Sequence, residues 1–218
     1  MYPGVRFIAR SARVTDLTPA GYDPGWDAIL PAVDRLVAQD VDAIMVAGTS
    51  LTFYRGPQAH QQLLEQLRGH TGLPVSTMSQ SILDGLKAVG ARRVAVATAY
   101  TDVVNRRLKE LLAAAGIDVL ALNCFNIVEF AGPHKKTAAD IIALAETAAD
   151  AAPGAEAILI SCGGLRTLDV ARPLEAKFGV PVVSSATAAF WAAMRLVGES
   201  GHVEGYGRLF ERSGPPVH

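Results

Sequence analysis

Ala43-Ile-Met-Val-Ala-Gly-Thr-Ser-Leu51 and Ala157-Ile-Leu-Ile-Ser-Cys-Gly-Gly-Leu165 are two versions of one pattern, 114 residues apart (43 against 157). Each is a short run of apolar, mostly branched residues, which reads as a strand buried on both faces. Each passes at once into small residues that let the backbone close a tight loop. A second pair, Gly72-Leu-Pro-Val75 and Gly179-Val-Pro-Val182, places a turn glycine and a proline at the start of another strand. The chain therefore reads as duplicated. With the two corners aligned, Gly48 falls opposite Cys162, Thr49 opposite Gly163 and Ser50 opposite Gly164. One copy carries a thiol where the other has no side chain.

Outward from these corners, strands alternate with helices. Strands are expected near 5–9, 43–47, 75–78, 93–98, 117–122, 157–161 and 180–184. Helix-start signals stand at Thr18-Pro19 and Asp23-Pro24, ahead of the apolar pattern Ile29, Leu30, Val33, Leu36 and Val37. A helix over 58–68 follows the first site loop. Ser79 is placed to cap a helix with Ile82, Leu83, Leu86 and Val89 on one face, and Thr101 or Asp102 to cap the next. Further helices are expected over 137–149, 168–177 and 187–197. This alternation means parallel sheets covered on both faces. The fold class is α/β, with two pseudo-symmetric doubly wound lobes built on parallel four-stranded sheets. The first lobe is assigned residues 1–90 and the second 91–198, with a polar tail over 199–218. The second lobe counts four strands and the first only three. The counterpart of 93–98 is expected upstream of Met1, and because the first strand of such a lobe is central, its loss should open the core.

Composition narrows the classes. The 218 residues are half hydrophobic, and 20 Lys+Arg nearly cancel 21 Asp+Glu. No basic face for nucleic acid is indicated. No apolar run approaches the roughly 20 residues that span a bilayer, and no signal sequence follows Met1, so a cytoplasmic protein is expected. Two cysteines, Cys124 and Cys162, make no disulfide framework. The five histidines show no ligand spacing, and neither G-x-G-x-x-G nor a P-loop occurs, so neither metal nor cofactor is expected.

In open parallel sheets, ligands sit beyond the carboxyl ends of strands. Gly48, Thr49, Ser50, Tyr100, Cys162 and Gly163 all fall at such ends. Their amides and hydroxyls are what holding a carboxylate or an enediolate requires. Turn chemistry without a ligand accounts for either loop alone, and a lone cysteine is more often a buried structural thiol. A thiol at a strand end, followed by two glycines and near a helix start, is placed for reactivity. Cys124 lacks those glycines and reads as inert. Gly48-Thr-Ser-Leu-Thr52 approaches a G-x-S-x-G elbow, but Thr52 replaces its last glycine and a serine hydrolase is a weak alternative.

The segments 48–56 (GTSLTFYRG), 94–102 (VAVATAYTD), 161–169 (SCGGLRTLD), 180–185 (VPVVSS) and 205–210 (GYGRLF) carry a resemblance. Over nearly its whole length the chain resembles the arylmalonate decarboxylases, within the aspartate/glutamate racemase superfamily. The resemblance implies cofactor-free decarboxylation of 2-aryl or 2-alkenyl malonates to one enantiomer. It implies that Cys162 is the single proton donor, with Gly48 where relatives with two thiols carry the second. It further implies that Thr49, Ser50, Tyr100, Cys162 and Gly163 cage one carboxylate, while Val14 and Leu17 line an apolar pocket for the other. The segment 125–136 departs from the family's pattern. A small dicarboxylate is the expected partner, and the oligomeric state is left open, a monomer being compatible. The alternatives are a maleate isomerase or amino-acid-type racemase of the same superfamily, and a non-catalytic carboxylate-binding protein.

Overall fold

The computed structural model describes residues 4–211; Met1–Pro3 and the end of the expected tail lie outside them. Two all-parallel sheets carry the molecule. In the first, β1 (Ile44–Val46) pairs with β2 (Val75–Thr77). In the second, the order is β4-β3-β5-β6, with β3 Arg93–Thr98, β4 Asp118–Cys124, β5 Ala157–Ser161 and β6 Val182–Ser184. The internal repeat is written into the register: Ile44 faces Val75, and their repeat partners Ile158 and Val182 face each other.

Helices cover both sheets. After β1 come α3 (Thr49–Phe53) and α4 (Pro57–Thr71), and after β2 comes α5 (Met78–Ala88). In the second half α6 (Asp102–Ala114) follows β3, α7 (Ala138–Asp150) follows β4, α8 (Ala171–Phe178) follows β5, and α9 (Ser185–Leu196) follows β6. α5 and α9, which follow equivalent strands, pack against each other and join the two sheets. Gly85 makes that approach possible, since a Cβ there would stand 3.1 Å from Val183 and 3.6 Å from Ala188.

Three expectations are corrected. The segment 5–9 is not a strand. In the second sheet β4 pairs with β3 alone. The segment at 5–9 holds the corresponding place, and among the described residues nothing corresponds to β3 beside it. An extended segment without ladder partners leaves its backbone groups to water or to local contacts. Phe7 instead rests edge-on against Phe190, ring centroids 5.7 Å apart, both half-exposed. The start signals at 18–24 and the apolar pattern at 29–37, read as one helix, belong to two, α1 (Pro19–Asp27) and α2 (Ile29–Val37), meeting at Ala28. Pro24 removes an N–H inside α1, whereas Pro31 falls in the first turn of α2, where its missing N–H costs nothing. Finally, α5 is capped by Thr77, whose hydroxyl accepts from the Gln80 N–H at 2.9 Å, and not by Ser79. The tail turns back on the body, burying Leu209 and Phe210.

Candidate active site

β3 and β5 are neighbours whose connections run in opposite directions, β3 to β4 on one side and β5 to β6 on the other. The crevice beyond their carboxyl ends is the switch point where doubly wound sheets take ligands. Thr98 and Ser161 end the two strands in register. Tyr100 therefore lies two residues beyond one strand and Cys162 one residue beyond the other.

Tyr100 is fully buried and held from behind. The Asn105 amide donates to its carbonyl at 3.2 Å, Thr98 Oγ1 donates to Asn105 Oδ1 at 2.7 Å, and the Tyr100 N–H reaches Thr98 Oγ1 at 3.3 Å. Its phenol meets Ser161 Oγ at 3.3 Å, and its ring stands edge-on to Phe53. Burial, then the nearby Cys162, raises the phenol pKa well above its ordinary value, so the group is a neutral donor.

Cys162, expected near a helix start, is not at one: α8 begins only at Ala171. Its backbone N–H donates to Ser185 Oγ at 3.2 Å. Burial pushes the thiol up to about 11, with the backbone N–H groups of Gly164 and Leu165 pulling weakly the other way. At neutral pH the sulfur keeps its proton, which suits an acid rather than a nucleophile.

The other lobe presents Gly48, Thr49 and Ser50. The Thr49 carbonyl accepts from Ser79 Oγ at 2.9 Å and lies 3.1 Å from Thr52 Oγ1, which also reaches the Gly48 carbonyl at 3.0 Å. Ser79 and Thr52 meet each other at 2.6 Å. The back of the loop is thereby tied down, while the first-turn N–H groups of α3 have no acceptor within the helix. The loops of the two lobes approach closely: a Cβ on Gly163 would stand 3.9 Å from Thr49 Oγ1 and 2.7 Å from Met78 Sδ, so any side chain there would have to displace the Met78 thioether. At Gly48 the nearest atoms to such a Cβ belong to Leu51, at 3.1 Å.

Tyr22 was not legible as a site residue. It projects from α1 with its side chain buried, and burial is the main reason its phenol pKa is raised. Ser50 lies close enough to its hydroxyl to oppose that shift, and Cys162 close enough to add to it. Yet neither Tyr22 OH nor Thr49 Oγ1 has a hydrogen-bond partner of good geometry, although both are buried. Val14 packs where α1 passes Leu51, its Cγ2 being 2.8 Å from a Cβ position on Gly25. Leu17 donates its N–H to the Val128 carbonyl at 2.8 Å, beside the Asp16–Glu129 bridge. Val14 thus lies beside Leu51 of the first hydroxyl loop, and Leu17 beside the 125–132 loop. That loop also brings Pro133 to 3.1 Å from a Cβ position on Gly164. Among the described residues no group of three or more His, Cys, Asp or Glu side chains could hold a metal ion, and no helix is long and apolar enough to cross a membrane.

The profile of the arylmalonate decarboxylase family matches residues 1–210. An arylmalonate decarboxylase of Bordetella bronchiseptica is 42% identical over 214 residues, covering 98% of this chain and 89% of that protein. The chain belongs to the arylmalonate decarboxylase family. As a member it is a carboxy-lyase. The fold agrees: a glycine-to-cysteine, cysteine-to-serine double mutant of arylmalonate decarboxylase in its liganded form superposes with a TM-score of 0.94 at 41% identity, covering 97% of this chain and 91% of that one. A maleate isomerase of Nocardia farcinica is 26% identical, over 97% of this chain and 86% of its own.

Proposed function

We propose that the chain decarboxylates 2-aryl or 2-alkenyl malonates without a cofactor, giving one enantiomer of the monoacid through an enediolate that Cys162 protonates. The observation that carries this reading is the pair of buried hydroxyls with no protein partner of good hydrogen-bond geometry, Tyr22 OH and Thr49 Oγ1, beside a thiol kept protonated by burial. Unpaired buried hydroxyls cost stability and are explained by a ligand that accepts from them.

One substrate carboxylate accepts from Thr49, Ser50, Tyr22, Tyr100 and the Gly163 amide, at the Cys162 corner whose own N–H is held by Ser185. The other lies against Val14, Leu17 and Pro133, where it loses hydration. Its bond to the α-carbon breaks, carbon dioxide leaves, and the electron pair moves into the caged carboxylate as an enediolate. The donors therefore stabilise the transition state more than the ground state. The Cys162 S–H then delivers its proton to the α-carbon, and the thiolate recovers a proton from solvent. A single acid on one face sets a single enantiomer. A racemase or isomerase using two thiols is disfavoured by Gly48, because Cys124, the other cysteine, ends β4 on the far side of β3.

The test is phenylmalonate in deuterated water without added metal. One deuterium at the α-carbon of phenylacetate is expected, and 2-methyl-2-phenylmalonate should yield one enantiomer. Unlabelled product, or unimpaired turnover by Cys162→Ser, overturns the reading.

A further inference from the structure

α1 is a poor helix by composition, with two glycines and two prolines in nine residues, yet it carries Tyr22. What holds it lies on its outer side. Asp23 Oδ1 accepts from the Tyr54 hydroxyl at 2.6 Å and from Arg55 Nη2 at 2.7 Å. The buried Tyr54 ring lies against the Tyr22 ring, centroids 5.2 Å apart, and meets Trp26 edge-on at 5.8 Å. The Arg55 guanidinium covers Trp26 at 4.8 Å. Tyr54 thus touches Tyr22 with its ring and the next residue of α1 with its hydroxyl. It also directly follows α3, whose first turn is the Thr49-Ser50 loop. One rigid run of chain therefore holds the amide loop at one end and α1 at the other.

We infer that Tyr54, anchored by Asp23, is a positioning residue that sets the Tyr22 phenol at its distance from Thr49 and Ser50. The exposed Asp23–Arg55 ion pair by itself contributes little; the buried ring and its hydroxyl bond fix the angle of α1. This inference rests on the placement of Tyr22 in the carboxylate cage.

Tyr54→Phe keeps the ring and removes the bond to Asp23. It should lower kcat on phenylmalonate about tenfold with KM changed less, since a misplaced group loses transition-state stabilisation. Asp23→Ala should lower kcat to the same extent, and Asp23→Asn, which keeps an acceptor oxygen, should recover most of it. The deciding measurement is a double-mutant cycle: in a Tyr22→Phe background, Tyr54→Phe should change kcat less than about twofold. If Tyr22→Phe is impaired and Tyr54→Phe still costs its full factor on top, the positioning role is overturned while the cage stands. If Tyr22→Phe turns over like the parent, the cage placement of Tyr22 fails and the inference with it. Thermal melts of each variant separate these outcomes from loss of fold.

Discussion

The two repeated corners end alike but are supported unequally. β5 is five residues long, buried throughout, and flanked by β3 and β6. β1 is three residues long, half-buried beyond Ile44, and paired on one side only among the described residues. In the second lobe the sheet itself places Cys162, with one bond to Ser185 added. In the first lobe the sheet contributes less, and hydroxyls from Thr52 and Ser79 hold the loop. The difference teaches that the acid stands on a rigid element while the facing loop depends on a few buried polar contacts.

Removing the acid breaks the comparison at its stronger side. Cys162→Ala should lower kcat on phenylmalonate by about a thousandfold with little change in thermal midpoint, the scale of a general acid. An activity within tenfold of the parent would exclude Cys162 as the proton donor. Gly48→Cys instead makes the two corners chemically alike. It should allow an enantiopure 2-arylpropionate to lose optical rotation over hours, while decarboxylation falls by about ten- to a hundredfold. The loss follows from crowding, because the new Cβ meets Leu51 at 3.1 Å. If rotation is constant in a folded variant that still decarboxylates, Gly48 and Cys162 do not face each other across the substrate.

Legibility in the sequence follows the same division. β5 stands where the apolar run at 157–161 places it, because a central buried strand needs no neighbour's chemistry to be recognised. The segment 5–9 has a similar apolar look but no ladder partner, and partnering is not written in local composition. Ser79 resembles a helix cap, but Thr77 ends β2 in extended geometry and takes that role, freeing Ser79 for the Thr49 carbonyl. The strand-end positions of Thr49, Ser50, Tyr100, Cys162 and Gly163, which the proposed cage uses, were legible because small residues mark those corners. Tyr22 was not, since a tyrosine four residues past a helix cap has no local feature that distinguishes lining a site from filling a core.

Acid should find the weaker lobe first. His60 is buried in α4, its Nε2 at 2.7 Å from Thr77 Oγ1, the cap of α5. The Thr77 oxygen already accepts from Gln80, so its hydrogen serves a neutral His60. Burial lowers the imidazole pKa from 6.5 to about 4. Between those values the unfolded chain binds a proton that the native state refuses, so stability is full above about pH 6.5 and falls as pH drops toward 4. The loss is at most about 3 kcal/mol from this group. Urea melts from pH 7 to 4.5 should show the parent losing more stability than His60→Gln; equal losses would remove His60 from the account.

The smallest effect tests the unequal support itself. Ser79→Ala deletes one of two hydroxyls behind the Thr49 carbonyl and leaves its partner Thr52 with one contact fewer. The loss of a buried hydrogen bond should lower stability by about 1–2 kcal/mol. It should also raise KM for phenylmalonate several-fold, because the Thr49 and Ser50 donors are no longer fixed. Ser185→Ala removes the single bond to the Cys162 amide, where β5 already holds the backbone from both sides. Its effect on KM should be smaller, within about twofold. The measurement is the ratio of the two KM changes at equal folded fraction. A larger change for Ser185→Ala would mean that the sheet does not support the Cys162 corner, and that the two lobes hold their loops by the same means despite their different strands.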